Sequence, residues 1–271
     1  MVDVRKKVEE ITPEITQMRV HIHENPELSM KEYNTCALLE DYVKKNVKYD
    51  RLKRVGETGL FFELKGTKPG NGPTIVFRGD IDALPIQEDE HMSPRSKVPG
   101  VMHACGHDVH GTINVGAAKI LSEMKDQFSG SIYFFIQPAE EILQGAKLFL
   151  NDPEIDFDKI DAVAALHVSA ELDAGTIGVR YGAILASADG LRIRINGKGG
   201  HGAHCHTLRD PIVASAAVIN ALQTLVSRET NPANAVVISI CTIHAGEANN
   251  IVPDSVEMTG TVRTLNPADR D

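Results

Sequence analysis

The sequence predicts an α/β fold with a second, smaller α+β domain, and three observations support this. Short apolar strands alternate with segments of helical apolar spacing, at residues 60–64, 74–77, 131–136 and 162–166. Polar residues directly follow these strands, where open parallel sheets collect functional groups. After about residue 182 the order becomes β-α-β-β. We therefore predict a mostly parallel sheet flanked by helices in residues 1–183 and a ferredoxin-like α+β domain in residues 184–271.

Apolar residues at spacings of three and four define the first helix, over residues 3–22. Further helices are predicted over residues 31–45, 112–124 and 141–150. In the smaller domain, residues 186–195 alternate like an antiparallel strand, with Leu191, Ile193 and Ile195 on one face. A helix over 211–226 and strands over 235–243 and 255–264 complete this domain.

The composition is that of a globular protein rather than a nucleic-acid or membrane protein. The 271 residues are 42% hydrophobic and 24% charged, with a formal net charge of -9, which disfavours binding to nucleic acid or anionic lipid. No apolar run is long enough to span a bilayer, and residues 1–10 lack a signal-peptide core, so we expect a cytoplasmic protein. Four widely spaced cysteines do not indicate a disulfide framework, and Cys36 and Cys241 are expected to be small buried residues.

Residues 102–110 (Met-His-Ala-Cys-Gly-His-Asp-Val-His) concentrate potential metal ligands. Thiolate and imidazole bind zinc and similar metals, and Cys105 and His107 are spaced so that one loop can aim both inward. The alternative is a redox or buried cysteine beside surface histidines. This segment alone does not decide between the two.

Two later features favour the metal site. Glu140 and Glu141 are adjacent carboxylates after an apolar strand, so that one can bind metal while the other acts as a base. Their alternative role is to stabilise a helix N-terminus. His167 also ends an apolar strand, although a single histidine there is usually just solvated.

Six ordered motifs resemble those of one family, and His21–Ser29 (HIHENPELS) fits it as well. They are FRGDIDALP (77–85), MHACGHD (102–108), QPAEE (137–141), ALHV (165–168), GKGGHGA (197–203) and GTVRT (260–264). The chain is thereby similar to the amidohydrolases and metallopeptidases that include aminoacylases, hippurate hydrolase and hydrolases of indoleacetic acid–amino acid conjugates.

The resemblance implies a two-metal amidohydrolase with a catalytic domain and an α+β lid. Cys105, His107, Glu141 and His167 would be metal ligands, with Cys105 bridging the ions. Glu140 would be the general base for a water activated by the metals, and Asp82 would orient a ligand. Asp108 and His110 would lie nearby without ligating. Zinc and manganese suit these ligands best, and cobalt or nickel also fits.

The same resemblance assigns residues of the lid. His201 would stabilise the oxyanion, in many relatives across a dimer interface, and its flanking glycines would allow close approach to another chain or ligand. Asn250 would bind substrate. Arg263 suits a substrate carboxylate, although a surface arginine on a strand is an equal alternative. A small-molecule N-acyl amino acid substrate and a homodimer formed through the lid are the expected partners.

The sequence departs from the family in two places. His204 and Cys205 replace a usual Met-Pro before His206, either as exposed loop residues, which we favour, or as an adventitious metal site. Relatives are also longer, and a further histidine ligand is expected in the segment that they have beyond residue 271. The predicted function is hydrolysis of N-acyl amino acids. The alternatives are a dipeptidase or aminopeptidase, and a truncated non-catalytic relative that binds metal or partners.

Overall fold

The computed structural model describes residues 3–271 and divides them into two compact units. One unit ends at Glu171, and the other is Leu172–Asp271. The domain boundary expected after residue 183 stays a prediction. Among the described residues, no helix is both long and apolar enough to cross a membrane.

The first unit is built on a five-stranded sheet. Its strands are β1 (Arg51–Val55), β2 (Gly59–Lys65), β3 (Thr74–Asp80), β4 (Ser131–Gln137) and β5 (Ala162–Ala165). Their order in the sheet is β1-β2-β4-β3-β5. Its helices are α1 (Val4–Glu24), α2 (Tyr33–Asn46), α3 (His107–Ser122) and α4 (Gly145–Leu150). Strand β3 pairs in parallel with both β4 and β5, while β1 and β2 add antiparallel pairs at one edge. The α/β class is confirmed, and the parallel strands are those that precede the predicted site.

The sheet has a hydrophobic core on each face. Phe62 of β2 stacks on Phe134 of β4 with ring centroids 4.7 Å apart, and both are fully buried among residues of α1, α2 and α3. On the opposite face, Phe61 packs with Phe135, and Phe149 of α4 covers them. This packing follows from the alternation of side chains along a strand and fixes the positions of the strand ends.

Helices α3 and α4 do not begin at the residues that the apolar spacing predicted. Helix α3 starts at His107 instead of residue 112, because Gly106 turns the chain there with a left-handed φ of +84°. Helix α4 starts at Gly145 instead of residue 141, because residues 138–144 form a tight turn in which Leu143 N–H donates to Glu140 O. Both differences place site residues on turns that the apolar periodicity does not record.

The second unit contains the predicted β-α-β-β order in its long elements. These are β6 (Asp189–Asn196), α5 (Pro211–Thr224), β8 (Val236–His244) and β10 (Ser255–Thr264). Strand β10 lies between β6 and β8 in an antiparallel sheet. A two-stranded ladder of β7 (Gly200–His201) and β9 (Ile251–Val252), and the short helix α6 (Pro267–Arg270), were not predicted.

The two cysteines expected in the core differ in burial. Cys36 on α2 is fully buried, which confirms the prediction for this residue. The prediction for Cys241 was wrong, because its thiol is exposed. Cys241 lies on β8, an outer strand of the three-stranded sheet, and the strand is exposed from Cys241 to its end at His244.

A side chain caps the N-terminus of helix α5, and a single substitution tests how much this cap contributes to stability. The Asp210 carboxylate accepts hydrogen bonds from the backbone N–H groups of Ile212 (2.8 Å) and Val213 (3.3 Å). We expect Asp210→Ala to lower the free energy of unfolding of this unit by about 1 kcal/mol. Chemical denaturation followed by circular dichroism measures this change. Asp210→Asn keeps an N-cap acceptor and should stay within a few tenths of a kcal/mol of the wild type.

Candidate metal centre

The predicted site residues of the first unit lie beyond the carboxyl ends of parallel strands. Asp82 follows β3, the Glu140–Glu141 pair follows β4, and His167 follows β5. Cys105 and His107 stand where the chain enters α3. The fold therefore collects these side chains at the edge of the sheet where open α/β proteins place their sites.

The turn at Gly106 directs Cys105 and His107 to the same place. A Cβ atom at Gly106 would lie 2.3 Å from Val168 Cγ2, so both the left-handed backbone and the packing require glycine. The Cys105 thiol donates to His167 Nε2 over 3.3 Å. His167 Nδ1–H donates to Val168 O over 2.6 Å, which leaves the Nε2 lone pair facing Cys105.

Asp82 holds two of the predicted ligands in place. Its Oδ1 accepts a hydrogen bond from His107 Nδ1–H at 3.2 Å. Its Oδ2 accepts from Ser29 Oγ–H at 2.6 Å and from the Glu141 backbone N–H at 3.0 Å. A carboxylate on the far nitrogen fixes the ring of a ligating histidine, and these contacts agree with the orienting role predicted for Asp82.

His107 Nε2 and Glu141 Oε1 are buried, 3.8 Å apart, and without a hydrogen-bond partner. Buried polar atoms in folded proteins are nearly always paired. Because zinc lies about 2.0–2.2 Å from nitrogen and carboxylate ligands, one cation fits between atoms at this separation. The residues present therefore fit a divalent metal on the evidence of their own unsatisfied atoms.

The ligand atoms form two groups that share His107. Cys105, His107 and His167 make one, and His107, Glu140 and Glu141 make the other, with the atoms of each group within 4.8 Å of one another. The structure thus brings together all four ligands predicted in this unit and the predicted base, Glu140. Thiolate, imidazole and carboxylate donors in overlapping groups suit zinc and other borderline cations.

The electrostatics of the site also favour a cation. Burial raises the pKa of the Cys105 thiol to about 12, and the carboxylates of Glu141, Glu140 and Asp80 add to this. Burial likewise raises the pKa of Glu141 against the opposing effect of His107, and the charges of Glu140 and Asp82 add to the rise. The charged forms of Cys105 and Glu141 are thus disfavoured, and a divalent cation would stabilise them.

A third group of possible ligands, Asp80, His107 and His110, is better described as a hydrogen-bond network. His110 Nε2 accepts the Val168 N–H at 3.0 Å, and its Nδ1–H donates to Asp80 Oδ1 at 2.6 Å. Both ring nitrogens of His110 are therefore engaged. Arg78 donates to Asp80 Oδ2 at 2.5 Å. The pKa of Asp80 is lowered, because these partners outweigh the effect of its burial.

The position of His110 agrees with the expectation that it lies near the site without ligating. Asp108 is also engaged elsewhere, since its Oδ2 contacts Arg19 Nε at 2.7 Å and His23 Nδ1 at 2.9 Å. Sequence reasoning gave no role to Asp80 or Ser29. The position of Asp80 at a strand end, two residues before Asp82, was the available signal.

In the second unit, the β7–β9 ladder brings His201 and Asn250 to neighbouring positions. His201 pairs with Ile251, and the Gly202 N–H donates to Asn250 O at 2.8 Å. His201 Nδ1 accepts the Ala203 N–H at 3.2 Å. A neutral His201 ring therefore carries its proton on Nε2, as a hydrogen-bond donor to a ligand requires.

The glycines beside His201 serve packing within the chain. A Cβ atom at Gly199 would lie 2.5 Å from Val252 O, so this glycine allows the chain's own backbone to approach closely, while approach to another chain or a ligand stays a prediction. Arg263 donates to Thr261 Oγ1 and to Val262 O, and its predicted substrate contact stays a prediction.

The residues that depart from the family pattern are solvent-exposed, as expected. They are His204 and Cys205, which precede His206 in a 3₁₀ turn. Their donor atoms do not form one of the compact groups of three found among the described residues.

Comparison with known proteins identifies the family of this chain. Residues 76–264 match the sequence model of "Peptidase family M20/M25/M40". The chain belongs to this family. It is 41% identical to thermostable carboxypeptidase 2 of Saccharolobus solfataricus over 265 residues, which cover 97% of this chain and 66% of that enzyme. It is 38% identical to the N-acyl-L-amino acid amidohydrolase of Geobacillus stearothermophilus over 263 residues, 97% of this chain and 70% of the relative.

A solved structure of the family has a similar fold. The Bacillus subtilis YXEP protein, described as a dinuclear metal binding peptidase of the M20 family, matches with a TM-score of 0.79 and 35% identity. The match covers 97% of this chain and 67% of that one. The chain thus spans about two thirds of the length of the M20 relatives that it matches.

A substitution at Asp82 tests the orientation of the ligands. An amide at this position cannot accept from His107 on one side and from both Ser29 and Glu141 on the other. We expect Asp82→Asn to lower metal affinity or turnover about 10–100-fold. Ser29→Ala removes a single donor and should have the smaller effect. Competition with a chromogenic chelator measures the affinities, and equal effects of the two substitutions would contradict the assignment.

Proposed function

We propose that the protein is a two-metal amidohydrolase that cleaves the amide bond of N-acyl amino acids. The observation that carries this proposal is the unsatisfied pair of His107 Nε2 and Glu141 Oε1, next to Cys105, His167 and Glu140. Membership of the M20 family and a relative described as an N-acyl-L-amino acid amidohydrolase support it. Zinc or manganese is the proposed metal, because both accept mixed donor sets of this kind.

Cys105, His107, Glu141 and His167 are the proposed ligands. Bound divalent cations would lower the pKa of a water and polarise the substrate carbonyl. Glu140 accepts a proton from the attacking water as its oxygen bonds to the amide carbon. The carbon–nitrogen bond then breaks, and Glu140 returns the proton to the leaving amine. The products are a carboxylate and a free amino acid.

His201 is proposed to stabilise the negative charge that develops on the carbonyl oxygen. The hydrogen bond from Ala203 to its Nδ1 supports this role, because it leaves Nε2–H as the donor. Asn250 and Arg263 are proposed to bind substrate, with the Arg263 guanidinium pairing to the carboxylate of the amino acid.

A peptidase activity is the second candidate, because the relatives include thermostable carboxypeptidases. A panel of hippurate, N-acetyl amino acids and free dipeptides, assayed with metal analysis of the same preparation, separates the two functions. Turnover of the acylated substrates alone is expected. Preference for dipeptides would favour the peptidase. Metal-free folded protein without turnover on any substrate would remove the proposal.

We also propose a homodimer formed through the second unit. The three-stranded sheet supports this, since β6 and β8 each have one edge that is not paired within the sheet. Light scattering on the purified protein should give twice the mass of the chain. A monomeric mass over a wide concentration range would contradict the proposal.

A further inference from the structure

Glu32 is a buried carboxylate outside the predicted ligand set. It stands at the start of α2 and has no exposed surface. Its Oε1 accepts a hydrogen bond from the Ala139 N–H at 2.8 Å, and its Oε2 is buried without a partner. A buried carboxylate that is only partly satisfied is costly, which calls for an explanation of its presence.

Capping of α2 does not explain why the carboxylate of Glu32 is buried there. It occupies the N-cap position of α2, but its side chain makes no capping hydrogen bond. The free N–H groups of the first turn are satisfied by Glu27, whose carboxylate accepts from the backbone of Asn34 at 3.1 Å and of Thr35 at 2.8 Å. The carboxylate of Glu32 points instead to the turn after β4.

That turn carries the proposed base and has a strained backbone. Ala139 has a φ of +50° and Leu143 a φ of +57°, in the left-handed region that side chains with a Cβ rarely adopt. Such residues persist only where their surroundings hold them. The Ala139 carbonyl accepts from Gln144 and Gly145, and its N–H is held by Glu32.

The backbone is thus anchored on both sides of Glu140. Before it, the Ala139 N–H is bound by Glu32, and after it, the Glu141 N–H is bound by Asp82 at 3.0 Å. Two buried carboxylates from different parts of the chain therefore fix the residues that flank the proposed base. The path of the chain between these anchors sets where the Glu140 and Glu141 side chains point.

We infer that Glu32 is a positioning residue for the Glu140–Glu141 pair, acting through its hydrogen bond to the Ala139 backbone. The inference rests on the proposed function for its effect on turnover. Its effect on metal binding does not depend on turnover, because Glu141 is a proposed ligand. Without Glu32 the turn can relax from the left-handed conformation, which moves both carboxylates.

The experiment compares Glu32→Ala and Glu32→Gln with a control at Glu63. Glutamine keeps an oxygen that can accept the Ala139 N–H, whereas alanine does not. Glu63 on β2 is equally buried, and its carboxylate accepts from Ser131 Oγ–H at 2.9 Å, at the opposite end of β4 from the turn. Glu63→Ala therefore reports the general cost of losing a buried carboxylate from this unit.

Two readouts are measured on the full chain, namely zinc affinity by chelator competition and kcat and KM for hippurate. For Glu32→Ala we expect zinc affinity or kcat to fall about 10–100-fold with little change in KM. Glu32→Gln should recover most of this loss, and Glu63→Ala should lower thermal stability without a matching loss in either readout. If Glu32→Ala does not fold, Glu32→Asp, which withdraws the carboxylate by one methylene, takes its place with the same expectation.

Three results would overturn the inference. The first is zinc affinity and kcat at the wild-type level in Glu32→Ala. The second and third are losses of zinc affinity or kcat in Glu32→Gln, or in Glu63→Ala, that are as large as the loss in Glu32→Ala. If the wild-type chain binds zinc but hydrolyses none of the substrates, the proposed function fails while zinc affinity still decides the role of Glu32.

Discussion

Glu140→Gln is expected to lower kcat about 10²–10⁴-fold, the range typical of a lost general base. Glutamine has nearly the shape of glutamate but cannot accept the proton of the attacking water. Because Glu140 is not one of the four proposed ligands, metal content and KM should stay near the wild-type values. Steady-state kinetics with metal analysis of the same preparation measures both quantities.

Glu154→Gln is the matched control for this substitution. Glu154 lies in the same unit, and 63% of its side chain is exposed, so its loss should leave turnover unchanged. Undiminished turnover in Glu140→Gln would remove the role of Glu140 as the base. A large loss of metal in that variant would instead make Glu140 a ligand, which its membership of the His107–Glu140–Glu141 group would accommodate.

His107→Ala is expected to have the second large effect, because His107 is common to both groups of ligand atoms. Its removal takes one donor from each group and leaves Asp82 Oδ1 without the ring that it holds. We expect metal affinity to fall by more than the roughly 10–100-fold that is typical for loss of a residue behind a ligand. Turnover should fall to that of the chelator-treated wild type.

His91→Ala is the control for loss of a histidine, since 86% of the His91 side chain is exposed. It should bind metal and hydrolyse substrate like the wild type. Circular dichroism establishes that each variant is folded before its metal is measured. Full metal occupancy in folded His107→Ala would show that the cation is held by other residues.

The convergence of the four proposed ligands could be predicted from the sequence because its signals are local. Cys105 and His107 stand in one short segment, while Glu141 and His167 each follow an apolar strand. The carboxyl ends of parallel strands meet at one edge of the sheet, so the strand pattern alone implied that these residues converge. The structure brings them together in that way.

Other features depend on contacts that no periodic pattern records. The contact of Glu32 with Ala139 joins residues 107 positions apart in the chain, and the left-handed turn at Ala139 has no glycine to indicate it. The early start of α3 depends on the left-handed backbone at Gly106, which the apolar spacing does not record. Strand β1 was missed because it is only half-buried along most of its length and has little apolar pattern.

The hydrogen bond from the Val168 backbone to His110 has a consequence for His167. A row of contacts runs from Arg78 through Asp80 and His110 to the residue after His167, so the end of β3 determines where the chain beyond β5 lies. The spacing between Cys105 and His167 therefore depends on Arg78 and Asp80, which are not among the four proposed ligands. The size of the opening offered to a metal ion thus depends on an ion pair between the half-buried Arg78 and the buried Asp80.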